Sequence, residues 1–243
     1  MGVGQKVTYF ELPDQLDYPW SLSGQLETGP VMLVFYRGDW CPYCNGQLAS
    51  YARQFAAFEK RGTQLVGVSV DPPRNNARLV GKLQLPFPLL SDPEGELARS
   101  LGLWNAEEGL AVPSIVVIDQ SAEVRYLYSG SDFADRPGDD EVFAALDGLD
   151  VQMTRTTGGP EIQVGAAQAR ERSVRPDRRV MDLDELITYY SGVFRTTVAL
   201  KGRFGGWRRS GKKAFREVDA YQQMVRHYIQ ALDETVKLTR QET

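Results

Sequence analysis

The sequence predicts an α/β protein with a mixed central sheet, helices on both faces of that sheet, and a C-terminal helical extension. Apolar segments typical of buried strands alternate with amphipathic helical segments over residues 1–150. Two of these strands are separated by a short polar turn, which is typical of an antiparallel hairpin. The charge then changes sign, because residues 1–150 hold 11 basic and 21 acidic side chains, whereas residues 151–243 hold 17 and 11.

Local patterns justify the elements in chain order. The continuous apolar run at 30–36 predicts a strand that is buried on both faces. Apolar side chains then recur every three or four positions, which predicts a helix over 43–61. These side chains are Leu48, Tyr51, Ala52, Phe55 and Phe58. The further predicted elements are a strand at 64–71, a short helix at 74–84, a helical segment at 94–103, strands at 112–119 and 123–129, and a helix at 139–149.

The two cysteines of the chain, Cys41 and Cys44, lie where the first strand passes into the helix. A disulfide between them would close too small a loop to stabilise a large fold. A structural zinc site needs four ligands, and the one histidine of the chain, His227, lies far along the sequence. A metal cluster shared between two chains stays open, but we favour a redox-active dithiol.

The position of the pair indicates how it becomes reactive. Pro42 suits the first turn of a helix. Unpaired amides and the dipole at a helix N-terminus stabilise an anion, so a cysteine there is expected to ionise near neutral pH. The spacing also lets the two sulfurs meet across one turn. We therefore expect either sulfur to be able to attack a substrate and to be resolved by the other.

Five segments of the first 150 residues form a recognisable series. They are FELPDQLDYPWSLSG, VMLVFYRGDWCPYC, LVGVSVD, PLLSD and VPSIVVID. In this order and spacing they resemble the AhpC/TSA peroxiredoxins of the thioredoxin superfamily, in particular a branch that carries Cys-x-x-Cys. The resemblance covers residues 7–149. It implies a thioredoxin-like three-layer fold and thiol-dependent redox chemistry.

The resemblance implies two alternative roles for the cysteines. In thioredoxin-like proteins the first cysteine attacks and the second resolves, which assigns attack to Cys41. In peroxiredoxins the attacking cysteine ends a Thr-x-x-Cys motif, which assigns attack to Cys44 and places Cys41 where the threonine belongs. Both assignments stay open at this point.

The resemblance also implies three further site residues. Pro113 matches the cis-proline that faces the dithiol in thioredoxin-like proteins, and an ordinary trans-proline at a strand start is the alternative. Trp40 either covers the site or serves only in packing. The family's arginine is expected about where Pro113 stands, so Arg37 becomes the candidate cation beside the peroxide, the alternative being a solvated loop arginine.

The remaining residues are predicted to form a linker or strap at 151–180 and a helical hairpin at 181–243. Asp182 is a plausible N-cap with Glu185 three residues on, and the last helix is predicted over 214–238. The apolar face of the hairpin must meet the first domain or a second subunit, and we favour a homodimer. The connecting loop at 201–213 holds six basic residues. A basic loop can contact nucleic acid, an anionic membrane or an acidic partner, but we favour a solvated surface loop.

These observations leave two function classes. The first is an oxidoreductase that reduces peroxides or protein disulfides, supplied with electrons by a thioredoxin-type or low-molecular-weight thiol reductant; a general disulfide reductase without peroxidase activity is a variant of it. The second is a non-enzymatic redox sensor that acts through the C-terminal module. No cofactor, metal, membrane or nucleic acid is expected, and the predicted compartment is the cytoplasm because the start of the chain lacks an apolar signal segment.

Overall fold

A computed structural model describes residues 1–149, 178–205 and 209–241. Within these residues the strands are β1 (Glu11–Pro13), β2 (Pro19–Ser21), β3 (Val31–Phe35), β4 (Gln64–Ser69), β5 (Leu89–Ser91), β6 (Trp104–Asn105), β7 (Leu110–Ala111), β8 (Ser114–Ile118) and β9 (Val124–Ser129). The helices are α1 (Leu22–Leu26), α2 (Pro42–Arg53), α3 (Phe55–Glu59), α4 (Pro73–Leu83), α5 (Glu96–Ser100), α6 (Asp139–Asp147), α7 (Leu183–Gly205) and α8 (Arg209–Gln241).

The central sheet has five strands in the order β5-β4-β3-β8-β9. Strands β3, β4 and β5 are parallel, whereas β8 is antiparallel to both β3 and β9. The predicted mixed sheet and its β8–β9 hairpin are therefore confirmed. Strand β3 lies at the centre, and all five of its side chains are buried, as its uninterrupted apolar sequence predicts.

Alternate side chains of β3 point to opposite faces of the sheet, and each face has its own apolar core. Met32 and Val34 pack with α2, α4, α6 and the C-terminal helices. Val31, Leu33 and Phe35 pack with α1 and α5. The two cores on opposite faces of one sheet confirm the three-layer α/β fold.

The helix that follows β3 is shorter than its periodicity predicts. It ends at Arg53, and Gln54 leaves the helical conformation before α3 begins at Phe55. The Gln54 side chain donates hydrogen bonds to Ser50 Oγ at 3.1 Å and to Asp139 Oδ2 at 2.8 Å. These contacts stabilise a bend that lets the chain follow the sheet and places Phe58 in the core.

Strand β5 is an element that the sequence analysis did not predict. It has only three residues and pairs in parallel with the end of β4. Because Pro86 and Pro88 precede it, its local sequence resembles a loop, and its pairing with β4 is a tertiary contact.

The first C-terminal helix, α7, begins as the sequence predicts. The Glu185 backbone N–H donates to Asp182 Oδ1 at 2.8 Å, and the Asp182 N–H donates to Glu185 Oε2 at 3.1 Å, which is a capping box. Both helices are longer than predicted and include described parts of the basic segment 201–213 that we expected to be a loop. The expectation of a loop was wrong for these described parts. The glycines of the segment disfavour a helix, but its lysines and arginines are good helix formers.

The domain boundaries stay a prediction, and residues 151–177 of the predicted linker lie outside the described residues. No helix among the described residues is both long enough and apolar enough to cross a bilayer. The apolar side of the hairpin packs on α2 of the same chain, through Leu186, Val225 and Leu232 among others. The apolar face for which we expected a second subunit is thus covered by α2 of the same chain.

Candidate active site

The two cysteines occupy the N-terminal end of α2, as predicted. Cys41 is the N-cap residue, with an extended backbone, and Cys44 lies in the first turn. Both are free thiols, and they are only 1% and 0% exposed. The site therefore combines the electrostatics of a helix N-terminus with an unexpected exclusion of solvent.

Three donors surround the Cys44 sulfur. The Arg37 backbone N–H donates to it over 3.4 Å, and Arg136 Nη2 donates over 3.5 Å. The Cys41 thiol supplies a third hydrogen bond. Burial by itself raises the pKa of Cys44, but the Cys41 hydrogen bond, the Arg136 charge and the Arg37 N–H outweigh it and lower the pKa to about 6.

The pKa values of the two thiols shift in opposite directions. The hydrogen bond that Cys41 donates to Cys44, together with burial, raises the pKa of Cys41 far above its ordinary value. The pair therefore shares one negative charge, which resides on Cys44 and is stabilised by a neutral thiol at Cys41. A buried thiolate with positive charge beside it is a nucleophile near neutral pH.

Arg136 is the site residue that the sequence analysis missed. It lies in the loop between β9 and α6, where its Nε donates to Gln47 Oε1 at 2.8 Å and its Nη1 donates to the carbonyl of Asp135 at 2.7 Å. The Asp135 carboxylate accepts hydrogen bonds from Ser131 and Tyr128, which hold the loop. One signal was available, namely a single arginine within the acidic stretch SDFADRPGDD.

Arg37 reaches the site mainly through its backbone N–H, and its charge makes a smaller contribution to lowering the pKa of Cys44. Its guanidinium pairs with Glu108 at 2.7 Å and lies 5.0 Å from the Trp40 ring centroid. Trp40 also stacks on the guanidinium of Arg178, 4.4 Å from the ring centroid. Trp40 is thus part of a cation–π layer that includes Arg37. The catalytic roles predicted for Arg37 and Trp40 stay predictions.

The prediction that Pro113 follows a cis peptide bond was wrong. No peptide bond in the described part of the chain is cis. The Val112 N–H donates to the Leu103 carbonyl at 2.7 Å, and the Pro113 carbonyl accepts from the Gly130 N–H at 2.9 Å. The Val112–Pro113 bond thus takes the trans form, which is the more common form of X–Pro bonds.

Tyrosines from the C-terminal helices cover the start of α2. The Tyr190 hydroxyl donates to the Pro42 carbonyl at 2.8 Å, between the two cysteines in sequence. The hydroxyls of Tyr43 and Tyr221 form a hydrogen bond, and the Tyr190 and Tyr228 ring centroids are 5.6 Å apart. This aromatic cover explains why the dithiol is buried.

Buried carboxylates lie behind the loop that leads to Cys41. The Asp39 N–H donates to Asp71 Oδ2 at 2.8 Å, and Asn45 Nδ2 donates to the carbonyls of Asp39 and Cys41 at 2.9 and 2.8 Å. These bonds fix the backbone next to the dithiol. Burial, followed by the charge of Asp39, raises the pKa of Asp71 to about 7.

The described residues contain no group of His, Cys, Asp or Glu side chains arranged to hold a metal ion. His227 is exposed, with its Nδ1 3.7 Å from Asp139 Oδ2. The dithiol and its two arginines are therefore the candidate reactive group among the described residues.

Comparisons with known proteins show the family of this chain. The model of the AhpC/TSA family matches residues 3–127, which are more than half of the chain. The chain belongs to the AhpC/TSA family. It is 33% identical to "Putative peroxiredoxin MT1643" of Mycobacterium tuberculosis over 149 residues, which span 60% of this chain and 96% of that protein.

Structural comparison gives the same family. Peroxidoxin BcpB of Mycobacterium tuberculosis is similar with a TM-score of 0.56 at 30% identity, over 61% of this chain and 98% of that chain. AhpC of the same organism is similar with a TM-score of 0.53 at 25% identity, over 60% and 92% of the respective chains. The chain is thus an oxidoreductase of the peroxiredoxin type with a thiol-dependent peroxidase function, and the disulfide-reductase and sensor alternatives are not favoured.

Proposed function

We propose that Cys44 attacks the peroxide and that Cys41 resolves the product. The observation that carries this assignment is the set of three donors on the Cys44 sulfur, from Cys41, Arg37 and Arg136. The opposite order needs a thiolate at Cys41, whose pKa is raised by its bond to Cys44 and by burial. The peroxiredoxin assignment of the pair is therefore preferred to the thioredoxin one.

In the first step the Cys44 thiolate attacks one oxygen of a hydroperoxide, forming an S–O bond as the O–O bond breaks. The sulfur is oxidised to a sulfenic acid, and the departing alkoxide or hydroxide takes a proton to become an alcohol or water. Negative charge leaves the sulfur and develops on the leaving oxygen. Arg136 and the Arg37 N–H lie where they can stabilise that charge without reorganisation.

In the second step Cys41 loses its proton and attacks the Cys44 sulfur. An S–S bond forms, the S–O bond breaks, and the hydroxyl leaves with that proton as water. An external thiol reductant then supplies two electrons and two protons and restores both thiols. The physiological donor that we propose is a thioredoxin-type dithiol or a low-molecular-weight thiol, and the compartment is the cytoplasm, where such reductants are maintained.

A homodimer through the C-terminal helices remains part of the proposal. Since the apolar side of the hairpin packs on α2, such a contact must use the outward sides of α7 and α8. Val198 and Leu238, which are 52% and 41% exposed, support an apolar contact there. Sedimentation of the wild type and of a Val198→Asp, Leu238→Asp double variant tests it, and a monomeric wild type would contradict it.

Single-turnover kinetics with separate cysteine variants test the assignment of the sulfurs. Reduced Cys41→Ser is expected to consume one equivalent of hydrogen peroxide and to accumulate a sulfenic acid at Cys44, which intact-protein mass spectrometry detects as the gain of one oxygen atom. Reduced Cys44→Ser is expected to consume none on the same timescale. Rapid oxidation of Cys41 in the Cys44→Ser variant would overturn the assignment, and absence of peroxide consumption by the wild type would overturn the peroxidase function.

A further inference from the structure

The burial of the dithiol is the least expected feature of this site. A substrate must be able to reach a reactive cysteine. Cys41 and Cys44 are nevertheless almost fully buried. The cover comes from α7 and α8, which lie beyond residue 127, where the match to the family model ends. Helices outside the family match thus cover a dithiol that lies within it.

Two tyrosines form a buried part of this cover. Tyr190 on α7 is fully buried, and its hydroxyl is bonded to the carbonyl of Pro42. Tyr228 on α8 is 4% exposed and contacts the Tyr190 ring edge-on. Both rings and both cysteines belong to the same cluster of buried residues, so the rings and the two sulfurs share one enclosed region.

Gly46 shows how closely the rings approach α2. A Cβ added at Gly46 would lie 2.7 Å from the Tyr190 hydroxyl oxygen and would overlap the Tyr228 ring. Real Cβ atoms do not make such contacts, so any larger residue at position 46 must displace the two rings. The hairpin can therefore pack on α2 in this position only because Gly46 has no side chain.

Further contacts fix the hairpin in this position. Leu186, Val225 and Leu232 are buried in the same apolar cluster as the two cysteines. Lys82 Nζ on α4 donates to the Met181 carbonyl at 2.9 Å, just before α7 begins. Moving the hairpin as a whole exposes this apolar surface to water, whereas a small adjustment of one ring does not.

From these contacts we propose that Tyr190 and Tyr228 are specificity-determining residues that restrict the peroxidase to small hydroperoxides. Hydrogen peroxide needs space for two oxygen atoms beside Cys44. An aryl or long-chain alkyl hydroperoxide carries a bulky group into the volume that the two rings occupy. This inference rests on the proposed attack by Cys44 and adds the size of the accepted substrate.

The test compares hydrogen peroxide with cumene hydroperoxide as oxidants of the reduced full-length protein. The rate constant of thiolate oxidation is measured for each by stopped flow, and their ratio is the readout. In the wild type, hydrogen peroxide is expected to react faster by about 10-fold or more, because a mismatched bulky group in a closed pocket costs that much. Tyr190→Ala and Gly46→Ala are each expected to bring the ratio towards one by accelerating the reaction with cumene hydroperoxide.

Matched variants separate this effect from general damage. Gly192→Ala introduces the same methyl group on α7, where no atom lies within 4 Å of an added Cβ, and it is expected to retain the wild-type ratio. Tyr190→Phe removes the hydroxyl but retains the ring, and it is expected to retain most of the discrimination. If Tyr190→Ala does not fold by circular dichroism, Gly46→Ala carries the test.

Two results would overturn the inference. One is a wild type that reacts with both peroxides at equal rates, and the other is an unchanged ratio in folded Tyr190→Ala and Gly46→Ala. Either result leaves hydrogen peroxide turnover intact, so it differs from a failure of the proposed function, in which the wild type does not react with hydrogen peroxide.

Discussion

The guanidinium of Arg136 lies 3.5 Å from the sulfur of Cys44, although the two residues are 92 positions apart. The contact joins the loop after β9 to the first turn of α2. It provides the positive charge that a buried thiolate needs, since burial alone raises the pKa of Cys44. The pKa of Cys44 is therefore lowered not only by its position on α2 but also by Arg136, which the fold brings from a distant loop.

Replacing Arg136 by Met tests this role. We expect the pKa of Cys44 to rise from about 6 towards its ordinary value, because the charge that favours the thiolate is removed. We expect the rate of reaction with hydrogen peroxide to fall roughly 100-fold, the usual effect of losing one donor to a developing oxyanion. Stopped-flow oxidation and thiolate absorbance in the ultraviolet measure the two effects.

Arg125→Met is the matched control for that variant. Arg125 forms surface ion pairs with Asp119 and Glu123. Its loss is expected to change neither the pKa of Cys44 nor the peroxide rate. An unchanged pKa in Arg136→Met would contradict the assigned role of Arg136.

The pH dependence of thiol reactivity provides a second prediction. Because the pKa of Cys44 is lowered to about 6, the thiolate forms as the pH rises through that value. Reaction with iodoacetamide is therefore expected to rise between pH 5 and about 7 and then to level off. Peptide mapping after brief labelling is expected to find the label on Cys44 and not on Cys41, and early labelling of Cys41 would refute the assignment.

Asp71 provides a prediction about stability. Burial and the charge of Asp39 raise the pKa of Asp71 to about 7 in the folded protein. Between about pH 4 and about pH 7 the folded state thus binds a proton that the unfolded state has lost, so the free energy of unfolding falls as the pH rises. The upper bound for this single group is on the order of 4 kcal/mol.

Asp71→Asn is expected to flatten this part of the stability profile. Asp39, whose pKa burial also raises, is expected to leave a smaller slope of the same sign. Urea unfolding at several pH values measures the slope, and the exposed Asp140→Asn variant serves as the control. A profile in Asp71→Asn as steep as that of the wild type would show that Asp71 titrates normally.

The capping box at the start of α7 provides a fourth prediction. Asp182→Ala removes the acceptor of the Glu185 N–H and is expected to lower the free energy of unfolding by about 1 kcal/mol. Asp184→Ala, in the same first turn, makes neither of the capping-box bonds and is the control. Equal destabilisation by the two substitutions in urea titrations would argue against the cap.

Sequence analysis predicted the parts of this molecule that local patterns encode. The apolar run of β3, the polar turn between β8 and β9, and the Asp182–Glu185 pair are all local signals, and each element formed as predicted. The placement of Cys41 and Cys44 at the start of α2 followed from the same kind of signal.

The parts that were missed depend on contacts between distant segments. The approach of Arg136 to Cys44 and the seat of Tyr190 on Pro42 both join residues far apart in sequence. An amphipathic pattern indicates that a helix face is buried but not what buries it, which is why the hairpin was assigned to a second subunit.

The hydrogen bond between Cys41 and Cys44 has a consequence for how the enzyme tolerates excess oxidant. If Cys44 is oxidised first, as proposed, its sulfenic acid meets the Cys41 thiol without unwinding of the helix, so closure of the ring competes directly with a second oxygen transfer. We therefore expect irreversible conversion to sulfinic acid to be rare even when oxidant is abundant. On the proposed assignment, the same adjacency suits sustained detoxification better than a signal that ends with its own inactivation.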